Sequence, residues 1–130
     1  MANVFAKLGA TTYVLWGILH IEAARKVYML GQTLDAGIVQ GRLYQDAWNI
    51  LFFALFGMTV GIYLNWNNSR LGYWLNFIVV SAGDIGFIVA VLIPGHIPLF
   101  PGVIGPFLWL LALIFSTVAV INAAKGEGAT

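Results

Sequence analysis

The strongest structural signal in the chain is LGYWLNFIVVSAGDIGFIVAVLI, residues 71–93, which combines the length and apolarity of a membrane-spanning helix with a single carboxylate. About 20 consecutive apolar residues suffice to cross a bilayer core. Asp84 is the only Asp, Glu, Lys or Arg between Leu71 and Ala124. An ionisable group at bilayer depth costs ~2.5–3.5 kcal/mol on insertion scales, and such groups are rare and usually functional. Asp84 is therefore the first candidate site residue.

The composition of the whole chain agrees with this interpretation. Of its 130 residues, 61% are hydrophobic and 8% are charged, whereas roughly 25% of residues are charged in ordinary soluble domains. The net charge of +1 provides no basic surface, so nucleic acid is not an expected partner. Cysteine is absent, which excludes disulfides, thiolate nucleophiles and cysteine metal sites.

Four apolar segments predict four transmembrane helices, at about residues 4–29, 42–64, 71–93 and 103–124. The first segment is expected to be a retained helix and not a signal peptide, because it continues into Glu22, Arg25 and Lys26 without a small-residue cleavage site. The chain is thus predicted to be an all-α integral membrane protein, a single domain over residues 1–130. Its expected architecture is a four-transmembrane-helix antiparallel bundle, multi-pass, with both termini on the same side.

The connectors carry their own signals. Residues 65–69, NWNNS, form a tight polar turn that is expected to expose its amides to water. Pro94 and Gly95 end the third helix, because proline cannot continue the helical hydrogen-bond ladder. The apolar connector that follows, up to Gly102, is expected to pack against the end of the bundle. The six cations divide equally between the two sides, so the positive-inside rule expresses no preference for either orientation.

Polar residues are predicted to converge in the half of the bundle away from the termini. Counted from that side at about 1.5 Å per residue, His20, Asn49 and Asp84 fall at similar depth, about 10–14 Å. Residues three and four apart share a helix face. One stripe on the second helix therefore holds Arg42, Gln45, Asp46 and Asn49, and it continues into the aromatic residues Phe52, Phe53 and Phe56.

This convergence predicts an intramembrane pocket, polar near its mouth and aromatic deeper down. A carboxyl group in such a place can serve as an acid or base, and histidine is the usual second group near neutral pH. The predicted catalytic residues are Asp84, His20 and Asp46. The predicted substrate-binding residues are Asn49, Gln45, Tyr44, Arg42, Trp16 and Phe53.

The leading hypothesis is a small membrane enzyme that performs acid/base chemistry, an isomerisation, cyclisation or epoxide-type hydrolysis, on a lipophilic small molecule. The alternative is a non-catalytic ligand-binding or accessory subunit of a membrane complex, in which Asp84 and the stripe of the second helix make hydrogen bonds between helices. A third is a proton-coupled transporter, which would need to be a homo-oligomer. The expected partners are the lipid bilayer and, for the leading hypothesis, the lipophilic molecule.

Several of these residues also have a purely structural explanation. Arg42 and Asp46, at i and i+4, are also the spacing of a simple ion pair. A protonated Asp84 can simply hydrogen-bond a neighbouring helix. An iron site built from His20, His96, Asp46 and Asp84 would satisfy the two-histidine and carboxylate pattern, but the ligands lie on four separate segments without motif spacing. No cofactor and no metal are predicted.

Overall fold

The chain folds as four long helices with short connections, according to a computed structural model that describes the backbone of residues 2–127 and the side chains of residues 4–126. The described residues contain no β-strand. The long helices are α1 (Ala2–Gln32), α2 (Ile38–Tyr63), α3 (Arg70–Phe87) and α5 (Ile104–Glu127). A short helix, α4 (Leu99–Gly102), lies in the last connector.

All four long helices have the length and apolarity needed to cross a membrane. The apolar spans are Val4–Gln32, Ile38–Asn67, Arg70–Leu92 and Ile104–Gly126. The predicted helices are therefore all present, but their ends differ. The first helix continues to Gln32 and the second begins at Ile38, so the connector between them is shorter than residues 30–41. The two helices extend through residues 30–32 and 38–41, which the prediction had left outside them.

Close contacts define how the helices pair. Gly9 near the start of α1 lies against Ser116 near the end of α5, and Gly105 at the start of α5 lies against His20. Gly17 in the middle of α1 lies against Ala54 and Met58 of α2. A Cβ at Gly17 would lie only 2.1 Å from Met58 Cγ, so only glycine allows this approach without a shift of Met58.

The hairpin between α2 and α3 differs from its predicted form. Residues Asn65–Asn67 make a 3-10 turn, and Asn68 follows with a left-handed backbone, φ 55°. Asn65 is buried, and its side-chain oxygen accepts a hydrogen bond from Asn76 Nδ2 at 3.0 Å. Asn68 Nδ2 donates to the Ala119 carbonyl at 3.2 Å. The expectation that these amides are exposed to water is thus wrong for Asn65, because α3 and α5 use them as hydrogen-bond partners.

The opposite end of the bundle is more open. A π-helical turn, Ile88–Leu92, extends α3 up to the Pro94–Gly95 stop. Ile93, Leu99 and Phe100 are each at least 70% exposed. The prediction that the connector from Pro94 to Gly102 packs against the bundle end is therefore wrong for Leu99 and Phe100.

Candidate functional site

The core is built around two aromatic residues of α1. Tyr13 and Trp16 are fully buried together with Val80 of α3 and Ala112 of α5, and Phe53 packs partly against them. The two aromatic residues lie on one face of α1, because residues three apart are neighbours on a helix. Trp16 occupies the middle of α1, so the core lies at mid-height of the bundle.

Asp84 lies in this core. Its Oδ2 accepts a hydrogen bond of 2.6 Å from Trp16 Nε1, and its side chain has 0% exposure. The other carboxyl oxygen, Oδ1, is buried and has no hydrogen-bond partner. A residue without accessible surface borders neither the outside nor a space large enough for water. The structure therefore presents Asp84 as a sealed contact between α1 and α3.

His20 lies one turn from Trp16. Its ring stacks on the indole with a centroid distance of 3.9 Å, and Nδ1 donates to the Trp16 carbonyl at 2.8 Å. The carbonyl can only accept, so the proton in this contact is on Nδ1 and a neutral imidazole keeps Nε2 as an acceptor. Nε2 faces the start of α5, where Gly105 leaves room for the ring. Trp16 thus connects two of the three predicted catalytic residues.

A second indole closes the α3–α5 contact. Trp109 Nε1 donates to Ser81 Oγ at 2.9 Å, three residues before Asp84. Both indoles that reach α3 therefore bond to polar atoms within the Ser81–Asp84 segment. Neither Ser81 nor Trp109 is a predicted site residue. Their pairing joins residues 28 positions apart, which no local pattern reports.

The polar stripe of α2 does not join Asp84. Gly57 of α2 lies beside both Trp16 and Val80, which marks the level of the core. Asn49 lies eight residues before Gly57, about 12 Å further along α2 at 1.5 Å per residue. Asp84 lies eight residues after Asn76, whose Nδ2 donates to the Gly57 carbonyl, so the same count places Asp84 about 12 Å from this level as well. What separates them is the side of the helix on which each lies, since Asp84 is buried against Trp16 of α1 whereas Asn49 is exposed.

The residues of the stripe are exposed. Arg42 Nη1 donates to Gln45 Oε1 at 2.8 Å, and no ion pair joins Arg42 to Asp46 among the described residues. Asp46 and Asn49 are exposed, and within residues 4–126 their side chains make no hydrogen bond or ion pair. The i and i+4 ion pair is therefore absent, since the guanidinium bonds to an amide three residues away instead.

The stripe is exposed because α2 packs on α3 only near the hairpin that joins them. Asp46, Phe53 and Gly57 share one face of α2, at spacings of seven and four residues. That face packs on α3 at Gly57, where Asn76 Nδ2 donates to the Gly57 carbonyl at 3.1 Å. Seven residues after Asn76, Gly83 has no atom within 4 Å of its would-be Cβ. The two helices thus touch near their shared hairpin and leave space between them toward the other end.

The two remaining predicted binding residues, Tyr44 and Phe53, pack against other aromatic side chains of the bundle. Tyr44 stacks on Tyr28 of α1 with a centroid distance of 4.7 Å, and Phe53 packs against the core. Glu22 pairs with Arg25 at 2.7 Å, three residues further along α1. Of the nine predicted site residues, the structure brings together Asp84, His20, Trp16 and Phe53 around the core and leaves the α2 stripe apart.

The structure also contains a groove elsewhere, with a volume of about 320 Å³. It lies between the first half of α1 and the end of α2, toward the termini, and is lined by Ala10, Thr11, Val14, Ile62 and Trp66. None of these is a predicted site residue. Among the described residues, no group of three or more His, Asp or Glu side chains is placed to hold a metal ion, so the four-ligand iron site is not assembled.

Comparison with known proteins adds no further assignment. No protein-family model matches the sequence, and neither a curated protein nor a solved structure is detectably similar to it.

Proposed function

We propose that the protein is a non-catalytic subunit of a membrane complex: an antiparallel four-helix bundle that crosses the bilayer and uses the polar face of α2 to bind another transmembrane segment. The observation that carries the proposal is the exposure of Asp46 and Asn49 near the middle of α2, where neither side chain has a partner among the described residues.

The membrane location is supported by the surface of the bundle. Large apolar side chains are exposed along all four long helices, including Ile18, Phe52, Ile78 and Ile114. A contiguous apolar surface of this extent is not stable in water. Toward the hairpin between α2 and α3, Tyr63, Trp66 and Trp74 are exposed as well, as expected for an aromatic belt at one membrane interface.

The antiparallel arrangement is supported by the contacts between α1 and its neighbours. Gly9 and Gly105 pair opposite ends of α1 and α5, and Gly17 pairs the middle of α1 with the second half of α2. Both termini then lie on the same side of the membrane. An even number of crossings has the same consequence.

The non-catalytic assignment is supported by the state of Asp84. A general acid or base must come within about 3 Å of a substrate atom, directly or through one water. Asp84 has no accessible surface and its Oδ2 already accepts from Trp16. A lipophilic substrate would have to separate α1 from α3 to reach it. The geometry favours a hydrogen bond that holds two helices together.

The depth of Asp46 and Asn49 supports binding by α2. The helix runs from Ile38 to Tyr63, so its middle falls between residues 50 and 51. At 1.5 Å per residue, Asn49 lies about 2 Å and Asp46 about 7 Å from that middle. When α2 is centred in a hydrocarbon core about 30 Å thick, both side chains lie inside it.

Polar groups at that depth need a partner. A charged side chain exposed to lipid costs ~2.5–3.5 kcal/mol, and asparagine side chains in membranes typically hydrogen-bond across helices. Within the described residues the bundle offers Asp46 and Asn49 no such group. A second transmembrane segment that supplies donors and acceptors would relieve this cost.

Extraction of the intact protein from its own membrane tests the proposal. The wild-type chain, solubilised in a mild detergent, is expected to migrate on a native gel in an assembly larger than 14.2 kDa plus detergent. The Asp46→Leu/Asn49→Leu double variant is expected to release the single chain. The control is Ile18→Ala/Ile78→Ala, which changes exposed apolar side chains on α1 and α3 and should leave the assembly intact. A wild-type chain that is strictly monomeric in native membrane vesicles would overturn the proposal.

Acid/base catalysis is the second candidate function, because one observation favours it. Asp84 Oδ1 is buried without a partner, and His20 stacks on the indole that binds the other oxygen. Such an atom can receive a proton or a substrate hydroxyl if the helices open.

The test of catalysis uses vesicles that contain the protein, incubated with a lipid extract and analysed by mass spectrometry. A product that forms with the wild type, is lost with Asp84→Asn and with His20→Ala, and persists with Ile78→Ala would establish catalysis. The same product profile for all four proteins would exclude catalysis on the lipids of that extract.

A further inference from the structure

We infer that the segment bound by the polar face of α2 is α2 of a second copy of the same chain, related by a two-fold axis along the membrane normal. This inference rests on the function proposed above and adds the identity of the partner. The polar face means Arg42, Gln45, Asp46 and Asn49 throughout.

The charges of the polar face favour a second copy. The face carries one cation and one anion, Arg42 and Asp46, one helical turn apart. Two copies that face each other bring two cations and two anions to the interface, so no net charge remains inside the membrane. A partner of different sequence would need its own matching pair at the same spacing. A second copy of the polar face has this matching pair, because its Arg42 and Asp46 have the same spacing.

Two-fold symmetry places these groups within reach of each other. Copies inserted in the same orientation hold equal residues at equal depth, and a two-fold interface is self-complementary. Arg42 of one copy and Asp46 of the other are then about 6 Å apart along the axis, at 1.5 Å per residue. The long arginine side chain spans such an offset. In the single chain the guanidinium already bends along α2 to Gln45, three residues away.

Asn49 pairs with its own copy in this arrangement. Each side-chain amide has two N–H donors and a carbonyl acceptor, so two facing amides can donate to each other reciprocally. Asn49 is close to the middle of α2, where water is absent and a reciprocal pair replaces two unsatisfied amides. The same atoms that are costly in a single chain thus become the interface.

The surroundings of the polar face leave it accessible. Gly41, four residues before Gln45, has no atom within 4 Å of its would-be Cβ. Phe52 is 58% exposed and continues the face toward the hairpin. No described atom lies within 4 Å of the would-be Cβ of Gly83, so α3 does not cover this end of α2 at that position. The interface then consists of polar contacts between residues 42 and 49 and an aromatic contact at Phe52, nearer the hairpin.

Cysteine cross-linking tests the arrangement directly, because the chain has no cysteine of its own. A disulfide requires Cα atoms within about 7 Å, so only residues near the two-fold axis form one with their own copy. The Asn49→Cys variant in membrane vesicles, oxidised with copper phenanthroline, is expected to give a covalent dimer on a non-reducing gel. The control is Ile18→Cys, on the exposed face of α1 near the middle of that helix, which should remain monomeric.

Charge reversal tests the Arg42–Asp46 contact. Arg42→Asp and Asp46→Arg alone should each weaken self-association by about tenfold or more, since close charge pairs contribute several kcal/mol of coupling at interfaces. The two single variants, carrying different tags and co-expressed, should pair with each other in preference to themselves. A merely destabilised fold would not show this preference.

The outcomes separate the partner from the function. If Asn49→Cys gives no covalent dimer while the wild type still migrates in a large assembly with another protein, the two-fold dimer is overturned and the proposed function stands. If Asn49→Cys and Ile18→Cys cross-link equally, the dimer is also overturned, because random collisions explain both. A monomeric wild type overturns both proposals.

Discussion

Trp16 and Asp84, 68 positions apart in sequence, are joined by a 2.6 Å hydrogen bond in which the indole Nε1 donates to Oδ2. Both side chains are buried in the centre of the bundle. The bond links α1 to the apolar segment that carries the chain's most isolated carboxylate. We therefore expect the free energy of unfolding to depend on the Trp16 N–H as well as on the packing of the indole ring.

The Trp16→Phe substitution tests that dependence. Phenylalanine keeps an aromatic ring but removes the N–H, so both oxygens of Asp84 are left buried without a partner. We expect a loss of about 1–3 kcal/mol in unfolding free energy, the usual cost of an unsatisfied buried acceptor, plus the smaller ring volume. Titration with sodium dodecyl sulfate in detergent micelles, followed by circular dichroism, measures this loss.

The matched control is Trp74→Phe. Trp74 is 55% exposed and makes only ring contacts, with Tyr73 and Phe77. Its substitution should change stability by no more than about 0.5 kcal/mol, as is usual for surface positions. Equal losses for Trp16→Phe and Trp74→Phe would show that the bond to Asp84 contributes nothing specific.

Asn76→Leu tests the buried amide at the α2–α3 contact. Asn76 Nδ2 donates to the Gly57 carbonyl and to Asn65 Oδ1, and the side chain has 0% exposure. Leucine leaves the Asn65 oxygen buried and unpaired, so we expect a loss of about 1–3 kcal/mol. Asn122→Leu, at an exposed position of α5, is the control and should be close to neutral in the same titration. A neutral Asn76→Leu variant would contradict the structural role of the amide.

Gly9→Ala tests the close approach of α1 and α5. A Cβ at Gly9 would lie 2.5 Å from Ser116 Oγ and 3.1 Å from its backbone nitrogen, so the helices must move apart. Overpacking of this kind typically costs 1–3 kcal/mol. Gly83→Ala is the control, because nothing lies within 4 Å of that position.

Only the Gly9→Ala variant should lose stability. Alanine is favoured over glycine inside a helix by about 0.5–1 kcal/mol, so Gly83→Ala should be neutral or stabilising. If both variants are stabilised equally, the α1–α5 contact at Gly9 is looser than the structure indicates.

A double-mutant cycle of Ser81→Ala and Trp109→Phe measures the second indole bond. Trp109 Nε1 donates to Ser81 Oγ at 2.9 Å, and both side chains lie at the α3–α5 contact. We expect a coupling of about 0.5–1.5 kcal/mol, the usual net contribution of a neutral hydrogen bond. Strictly additive single effects would mean that the bond does not form in the folded protein.

The positions of the four long helices and part of the core could be predicted from the sequence. The four apolar segments and the stop at Pro94 depend on neighbours within a few residues, and the structure contains both. The grouping of His20 with Asp84 was also predicted, although the residue that connects them, Trp16, was expected only to bind substrate. The periodicity of a helix predicts which residues share a face, but it does not predict which atoms form hydrogen bonds.

The polar stripe on α2 shows the limit of that reasoning. Its four residues do share a face, as the i and i+3 or i+4 spacing predicts. The sequence nevertheless suggested that this face closes a pocket over Asp84. It stays exposed because α2 and α3 separate beyond Gly57, and the angle between two helices depends on side-chain packing along their whole contact.

Four long apolar helices could be predicted from residues close in the chain, because helix length and apolarity are local properties. Which polar groups have hydrogen-bond partners depends on how the helices pack. Asp84 finds Trp16 and Asn76 finds Asn65, whereas Asp46 and Asn49 find no partner within the described bundle. A hydrogen bond between helices requires two side chains to meet within about 3 Å, and helix register and crossing angle set that distance.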